Sequence, residues 1–386
     1  MKETRFKHTE IGQIPEDWVV ISLGDVGEVR MCKRIMKYQT AEKGDIPFFK
    51  ISTLGGRPDA FISRTIYESY KEKYNYPQSG DILLSAAGTI GRAVIFDGAP
   101  SYFQDSNIVW IENTESLLLN NLLYYIYRDL SWVTESGTIP RIYNSIVRSI
   151  NFPIPINKEE QSRIAAALTS VDDLISALDK LIEKKKNIKQ GSMQLLLTGK
   201  KRLKGFTDPW VEKKMGSIEI QNGAMLNSTE YKAGNIPVIA GGKQPAGYHS
   251  SSNRLANTIT ISASGANAGY ISFYKGPIFA SDCSTINEQK GISIEFLYYC
   301  LLLRQNAIYK CQTGGAQPHI HAKDIKDIGF AMPSDISEQK RIASIIESMD
   351  DEISSLETKK AKYEQVKQGM MQQLLTGKIR LIEEPA

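Results

Sequence analysis

EQSRIAAALTSVDDLISALDKLIEKKKNIKQGSMQLLLTGKKRL at residues 160–203 recurs as EQKRIASIIESMDDEISSLETKKAKYEQVKQGMMQQLLTGKIRL at residues 338–381. The offset is 178 throughout, with no gap, and 24 of 44 positions are identical. A long segment precedes each copy, so the chain reads as two units, each a globular module followed by a long helix. In the first copy Ile164, Leu168, Val171, Ile175, Leu178 and Ile182 follow a 4-3-4-3-4 spacing. In the second, Ile342, Ile346, Met349, Ile353 and Leu356 do the same, and Tyr363 and Met370 carry the frame past Lys360 and Lys367. That spacing is the seam of a helix that packs against another long helix, and the obvious partner for each copy is the other.

Pro155 and Pro333 stand before the two helices, and Gly199 and Gly377 follow the Leu-Leu-Thr that ends them. Each helix is expected to span about 40 residues, on the order of 60 Å. Gly191 and Gly369 fall inside the pattern; they weaken the helix locally or admit close approach of another chain. If the second module has neighbouring termini, as domains commonly do, the second helix returns along the first. The expected fold class is therefore α+β: two similar α/β domains separated by two long antiparallel helices that form an intramolecular coiled coil. The boundaries follow as a first domain at 1–156, a helix at 157–200, a second domain at 201–334, a helix at 335–381 and a tail at 382–386.

The 386-residue chain carries a formal net charge of +4. Residues 158–203 hold ten basic and six acidic groups and residues 337–381 eight and seven, which leaves about −1 for everything else. Nucleic-acid contact by the modules must then rest on local patches. The four cysteines, Cys32, Cys283, Cys300 and Cys311, form no C-x-x-C pair, which fits a reducing cytoplasm. The opening MKETRFKHTEIGQ lacks the apolar core of a signal peptide, and the apolar run near 296–303 is too short to span a bilayer.

Repetition extends faintly into the modules. Trp18-Val19 with Leu23-Gly24 echoes Trp210-Val211 with Met215-Gly216, and Gly44-Asp45-Ile46-Pro47 echoes Gly234-Asn235-Ile236-Pro237. The run at 82–88, ending in Gly88, echoes 259–265, ending in Gly265, and Gly91 and Gly269 follow. Each reads as strand, glycine turn, strand. Helix-like apolar stretches follow at 117–127 and 294–303, then the loops Gly137-Thr138-Ile139-Pro140-Arg141 and Gly315-Ala316-Gln317-Pro318-His319. Two modules of one plan and different detail suit two different half-sites. Glycine turns let backbone approach phosphate, and loop Arg, Lys, Gln, Asn and His reach base edges. The candidate DNA-contacting residues are Lys33, Arg34, Arg92, Gln104, Asn107, Arg141 and Asn144 in the first module. In the second they are Lys243, Gln244, Tyr248, Asn253, Arg254, Gln317, His319 and His321. Arg163 and Arg341, equivalent by repeat, are candidates for partner docking; the alternative for them is ion pairing with Glu159 or nearby acids.

Taken in order, EIGQIPEDW with Leu23-Gly24, the two glycine–proline loops, the Glu-Gln-x-Arg-Ile helix starts and the Leu-Leu-Thr-Gly-Lys helix ends resemble the specificity subunit of type I restriction–modification systems. The resemblance covers nearly the whole chain. It implies two target recognition domains, each reading one half of a split double-stranded DNA site, with the paired helices setting the gap. It also implies docking of two adenine-N6 methyltransferase subunits, joined by endonuclease/translocase subunits. S-adenosylmethionine, ATP and Mg are then expected on those partners and no cofactor on this chain.

The residues themselves agree with a non-catalytic role. No Asn/Asp-Pro-Pro-aromatic loop and no G-x-x-x-x-G-K-[ST] loop occurs. Asn151-Phe152-Pro153-Ile154-Pro155 has the wrong order for a base-holding loop and reads as a connector. His319-x-His321 lacks a third metal ligand, and Asp172-Asp173 and Asp350-Asp351 read as solvated or partner-facing helix positions rather than a metal site. The alternatives are a recognition subunit whose methyltransferase and nuclease share one partner polypeptide, a self-contained enzyme with an unfamiliar site, and a coiled-coil adaptor that binds proteins only.

Overall fold

A computed structural model describes residues 4–88, 90–132 and 144–382. The chain divides into two compact units, Met1–Ala177 with Lys360–Ala386, and Leu178–Lys359. The division crosses both long helices, Lys158–Leu196 and Ile336–Leu374. Each compact unit thus owns one globular module, half of the first helix and half of the second, where the sequence alone suggests separate domains and helices.

In unit 1 a four-stranded antiparallel sheet runs in the order Gly27–Met31, Ile108–Asn113, Ile82–Ser85, Ala93–Ile95. Its central strands are apolar at nearly every position because both faces are covered. Ile82, Leu84, Val109 and Ile111 join a core with the apolar helix Asn120–Asp129, while Leu83, Ile108 and Trp110 join a second core on the other side. The period-2 alternation of a strand distributes the run between two cores. A three-stranded sheet lies in the second core: Ile46–Phe49 pairs antiparallel with Phe61–Ile62 and parallel with Tyr102–Phe103. The helix Arg64–Lys73, capped by Ser63, closes that side.

Unit 2 repeats the plan. The sheet order is Gln221–Asn222, Cys283–Ile286, Thr258–Ser262, Ile271–Tyr274, again antiparallel. Ile236–Ile239 pairs antiparallel with Gly247–His249 and parallel with Phe279–Ala280. Ile259 and Ile261 face the main core, but the alternate positions are Thr258, Thr260 and Ser262, and the second core shrinks to Ile239, Ile278, Ala280 and Cys283 with Tyr274. The strand–glycine turn–strand echo is present in both: Gly88, Gly91, Gly265 and Gly269 all have positive φ.

A two-stranded ribbon joins each module to a helix start. Trp18–Ser22 pairs with Asn151–Pro155, and Trp210–Lys214 with Gly329–Pro333. The segment 151–155 is therefore a strand, not a bare connector; its prolines are tolerated at the edge of a two-stranded pair. Asn157 and Asp335 then cap the helices, accepting from Glu159 N and Ser337 N at 2.7 Å each. Gln161 and Gln339, both fully buried, lock each start to its module. Gln161 donates to Pro155 O and Leu117 O and accepts from Leu119 N; Gln339 donates to Pro333 O and Gly291 O and accepts from Ser293 N. At the other ends Gly199 and Gly377 take φ +70°, and a Cβ there would meet the Trp210 ring at 3.1 Å or Pro15 Cγ at 2.5 Å.

Within unit 1 the first half of the first helix runs antiparallel to the second half of the second. Ile164 and Leu168 share a core with Leu374 and Leu375, and Lys367 pairs with Asp172. Within unit 2 the complementary halves do the same: Met193 and Leu196 share a core with Ile342 and Ile346, and Lys189 pairs with Asp350. Full burial of each such aliphatic side chain contributes about 1.5–3 kcal/mol. The first aspartate of each Asp-Asp pair is a seam residue in both units. Asp172 accepts from Tyr125 Oη, Arg128 and Lys367, and Asp350 from Tyr299 Oη and Lys189. Each lysine also lies over the same tyrosine, at 5.7 and 5.8 Å from the ring centre. A paired Lys–Asp in an apolar seam favours one register over slipped alternatives. Gly191 and Gly369 do not mark a close approach within the chain, since nothing lies within 4 Å of a Cβ built on either.

Candidate nucleic-acid interface

The two modules share a frame at the ends of their parallel strand pairs. In the first, Gln104 N donates to Phe49 O at 2.8 Å; in the second, Ser281 N donates to Ile239 O at 2.8 Å. Asp105 and Asp282 follow directly and occupy equivalent places. What they hold differs: Asp105 pairs with Arg34, and Asp282 accepts from Ser264 Oγ.

Around Asp105 a cleft of about 410 Å³ is lined by Lys33, Arg34, Lys73, Tyr74 and Asn75. Lys33 Nζ lies 5.3 Å from the centre of the Tyr74 ring. The segment 32–34 is fixed from behind by Tyr102 Oη, which donates to Lys33 O at 3.1 Å. The cleft joins three cationic side chains and an exposed aromatic face, suited to phosphate and stacked base.

In unit 2 three loops converge on Asp282. Ser262 Oγ donates to Gly241 O at 2.9 Å, Gly265 N to Pro318 O at 3.0 Å, and Ile320 N to Ala263 O at 2.9 Å. His319 exchanges both backbone hydrogen bonds with Thr313. Lys243 extends over the Tyr270 ring at 5.4 Å. Gly241 is required here, because a Cβ would meet Ser264 O at 2.7 Å.

Lys33 and Arg34 thus share one cleft, and Lys243 and His319 share one loop cluster with exposed Gln317 on its loop. Gln244 is exposed beside Lys243, Tyr248 is exposed on the edge strand Gly247–His249, and His321 is exposed at the start of the 3-10 turn Ala322–Asp324. Asn144 is exposed at the first turn of the helix Asn144–Ser149. Other candidates make hydrogen bonds within their module. Gln104 Oε1 accepts from Ile51 N at 3.2 Å, and the exposed Arg92 donates to Leu54 O at 3.1 Å. Asn107 is half-buried, and its carbonyl accepts from Ala86 N. Asn253 uses both amide ends on Ala280, and Arg254 donates to Thr285 Oγ1, Asn253 O and Asn222 O. Those two hold the second module's sheets together. Arg141 and Pro140 lie outside the described residues. Arg163 pairs with Glu159 at 3.7 Å and donates to Leu381 O, whereas Arg341 is exposed.

The structure adds Lys73, Tyr74, Asn75 and Asp105 to the cleft, and Ser264, Tyr270 and Asp282 to the loop cluster, none of them a sequence candidate. The alternation Lys71-Glu72-Lys73-Tyr74-Asn75-Tyr76 interleaves basic and aromatic residues and was a usable signal. Among the described residues no cluster of His, Cys, Asp and Glu could hold a metal ion, and no helix is long and apolar enough to cross a membrane.

The family model for the type I restriction modification DNA specificity domain matches residues 15–190 and again 207–368. A putative type I restriction enzyme specificity subunit from Haemophilus influenzae is 52% identical over 178 residues, an alignment that spans 46% of each chain. The putative type I restriction enzyme MjaX specificity subunit from Methanocaldococcus jannaschii is 26% identical over 98% of each chain. In fold, the chain is similar to the crystal structure of a type I restriction–modification S subunit from M. genitalium, with a TM-score of 0.67 and 18% identity over 92% of this chain and 96% of that one. It is also similar to a chain from a study of complex assembly and conformational transition of the type I R-M system, with a TM-score of 0.56 and 15% identity over 95% and 99%. The protein belongs to the type I restriction–modification DNA specificity family, as a specificity subunit that carries the specificity domain twice.

Proposed function

We propose that the first module reads one half of a split double-stranded DNA site and the second module the other, while the paired helices fix the interval. The observation that carries this reading is the shared frame with exchanged contents. Equivalent carboxylates stand at the ends of equivalent parallel strands, yet one holds Arg34 and the other the hydroxyl of Ser264. One plan filled with different polar groups reads two different sequences. Phosphate contacts position each module, and loop side chains select bases.

The chain itself does no chemistry in this reading. Two methyltransferase subunits dock on it, with endonuclease/translocase subunits beyond them, and S-adenosylmethionine, ATP and Mg act on those partners in the cytoplasm. Leu181, Ile188 and Leu195, seven residues apart on the first helix, are exposed apolar side chains, and Gly191 between the last two leaves open space. That stripe supports docking of a partner helix near it. Exposed Arg341 is the better placed of the two repeat-related arginines, since Arg163 is already engaged.

The test exchanges residues 210–333 for the module of another family member, in cells that also make the methyltransferase subunit, and maps methylated adenines. A change in one half of the methylated site supports the reading. A change in both halves, or no specific methylation from the parent complex, opposes it.

A further inference from the structure

We propose that Arg34 reads a guanine in the first module's half-site, with Asp105 as the residue that positions it. This rests on the DNA reading given above. The Arg34 side chain is 68% exposed, whereas that of Asp105 is only 12% exposed. The acid is therefore fixed in the module wall while the guanidinium stands out in the cleft. Asp105 engages the guanidinium through Nε, so its two terminal amino groups can meet a base edge.

A planar fork held from one side matches the O6 and N7 acceptors of guanine in the major groove. Preorganisation matters because a free arginine has many rotamers to lose on binding. Lys33 and Lys73 beside it supply charge for the flanking phosphates, and the exposed Tyr74 face limits where the backbone can lie. The second module offers the control. Asp282 occupies the equivalent place but holds the hydroxyl of Ser264, which reads no guanine in this way. The selective contact is thus a property of the first module alone.

The experiment compares the complex of the full chain with its methyltransferase subunit for the parent, Arg34→Ala, Arg34→Lys, Asp105→Asn and Lys33→Ala. Methylated sites are mapped, and binding to the mapped duplex and its single-base variants is measured over a salt series. Arg34→Ala is expected to make one guanine position of one half-site degenerate, with a loss of about tenfold or more in preference there. The other half-site stays unchanged, which also reports that the chain is folded and assembled. Arg34→Lys does not restore the preference, because an ammonium is not a fork. Asp105→Asn relaxes the same position to a lesser degree without lowering affinity for all sequences. Lys33→Ala weakens binding to every duplex and lowers the salt dependence. An unchanged site for Arg34→Ala overturns the proposal. So does a uniform loss of affinity with reduced salt dependence, which marks a phosphate contact. Absence of any specific site for the parent complex instead sinks the DNA reading beneath it.

Discussion

Arg380 Nη2 lies 2.8 Å from Glu160 Oε2, so the tail of the second helical repeat closes on the start of the first. The reciprocal pair, Arg202 with Glu338 at 2.6 Å, closes the tail of the first repeat on the start of the second. The Glu-Gln-x-Arg-Ile starts and the Leu-Leu-Thr-Gly-Lys ends are thus two sides of one contact, made once in each compact unit. Glu160 and Glu338 are both essentially fully buried. Removing the arginine from either leaves a buried carboxylate without its main partner, which costs about 3–5 kcal/mol. Arg380→Ala is expected to be the more damaging, since Arg380 also binds Asp17 and lies over the Trp18 ring at 5.7 Å. Urea unfolding of the two single variants checks the order; equal effects of well under 1 kcal/mol would count against it.

The same contact has an acid limb. The hydrogen bond from Arg380 holds the Asp17 carboxyl below its usual range. A carboxylate with a depressed folded pKa contributes stability above its unfolded pKa and loses it as pH falls through the lower, folded value. Melting temperature is therefore expected to drop between about pH 4 and the acid side of it. The drop should be shallower in Asp17→Asn, which has no such carboxylate to titrate. Identical acid profiles would remove Asp17 from the account.

Burial pushes the thiols of Cys32, Cys283 and Cys300 up to about 12, while Cys311 is partly exposed. At pH 8 the first three have almost no thiolate and little access. Iodoacetamide on the folded chain is expected to label Cys311 first, and all four only after unfolding. Peptide mass spectrometry reads this directly. Early labelling of Cys300 would contradict the packing of the apolar helix Ile294–Leu303.

Glycines in the two helices and just past their ends divide into opposite cases. Gly377→Ala meets both a left-handed φ and Pro15, and should destabilise by about 1–3 kcal/mol. Gly191→Ala and Gly369→Ala meet open space in helical backbone and should each stabilise the free chain by about 0.5–1 kcal/mol. If a partner helix uses the room beside Gly191, Gly191→Ala will also weaken assembly with the methyltransferase. Thermal melts and a pull-down of the two chains separate these effects.

Much of the helical architecture is legible in the repeat. The seam spacing picks out Ile164, Leu168, Ile342 and Ile346, all fully buried, and the glycines after Leu-Leu-Thr do turn the chain. The polar seam positions are less legible, because Lys189 and Lys367 find their partners at 350 and 172, a relation between distant segments that no local pattern states. The cleft around Asp105 is legible only in part for the same reason. Lys33 and Arg34 stand out as basic loop residues, but Asp105 and Tyr74 join them only through the parallel pairing of Ile46–Phe49 with Tyr102–Phe103 and the helix Arg64–Lys73. Arg254 and Asn253 illustrate the converse. Their residue types suit base contacts, yet tertiary structure commits them to backbone carbonyls and a threonine hydroxyl.

The most direct test of the proposal that the paired helices fix the interval adds one heptad to each long helix where the unit boundary crosses it, after Ala177 and after Lys359, so that the seam stays in frame. Seven residues lengthen a helix by about 10 Å, or about three base pairs of duplex. Mapped methylation should then show both half-sites unchanged and the gap between them longer by about three base pairs. An unchanged gap, or an altered half-site, would contradict the claim that these helices set the distance between two reading modules.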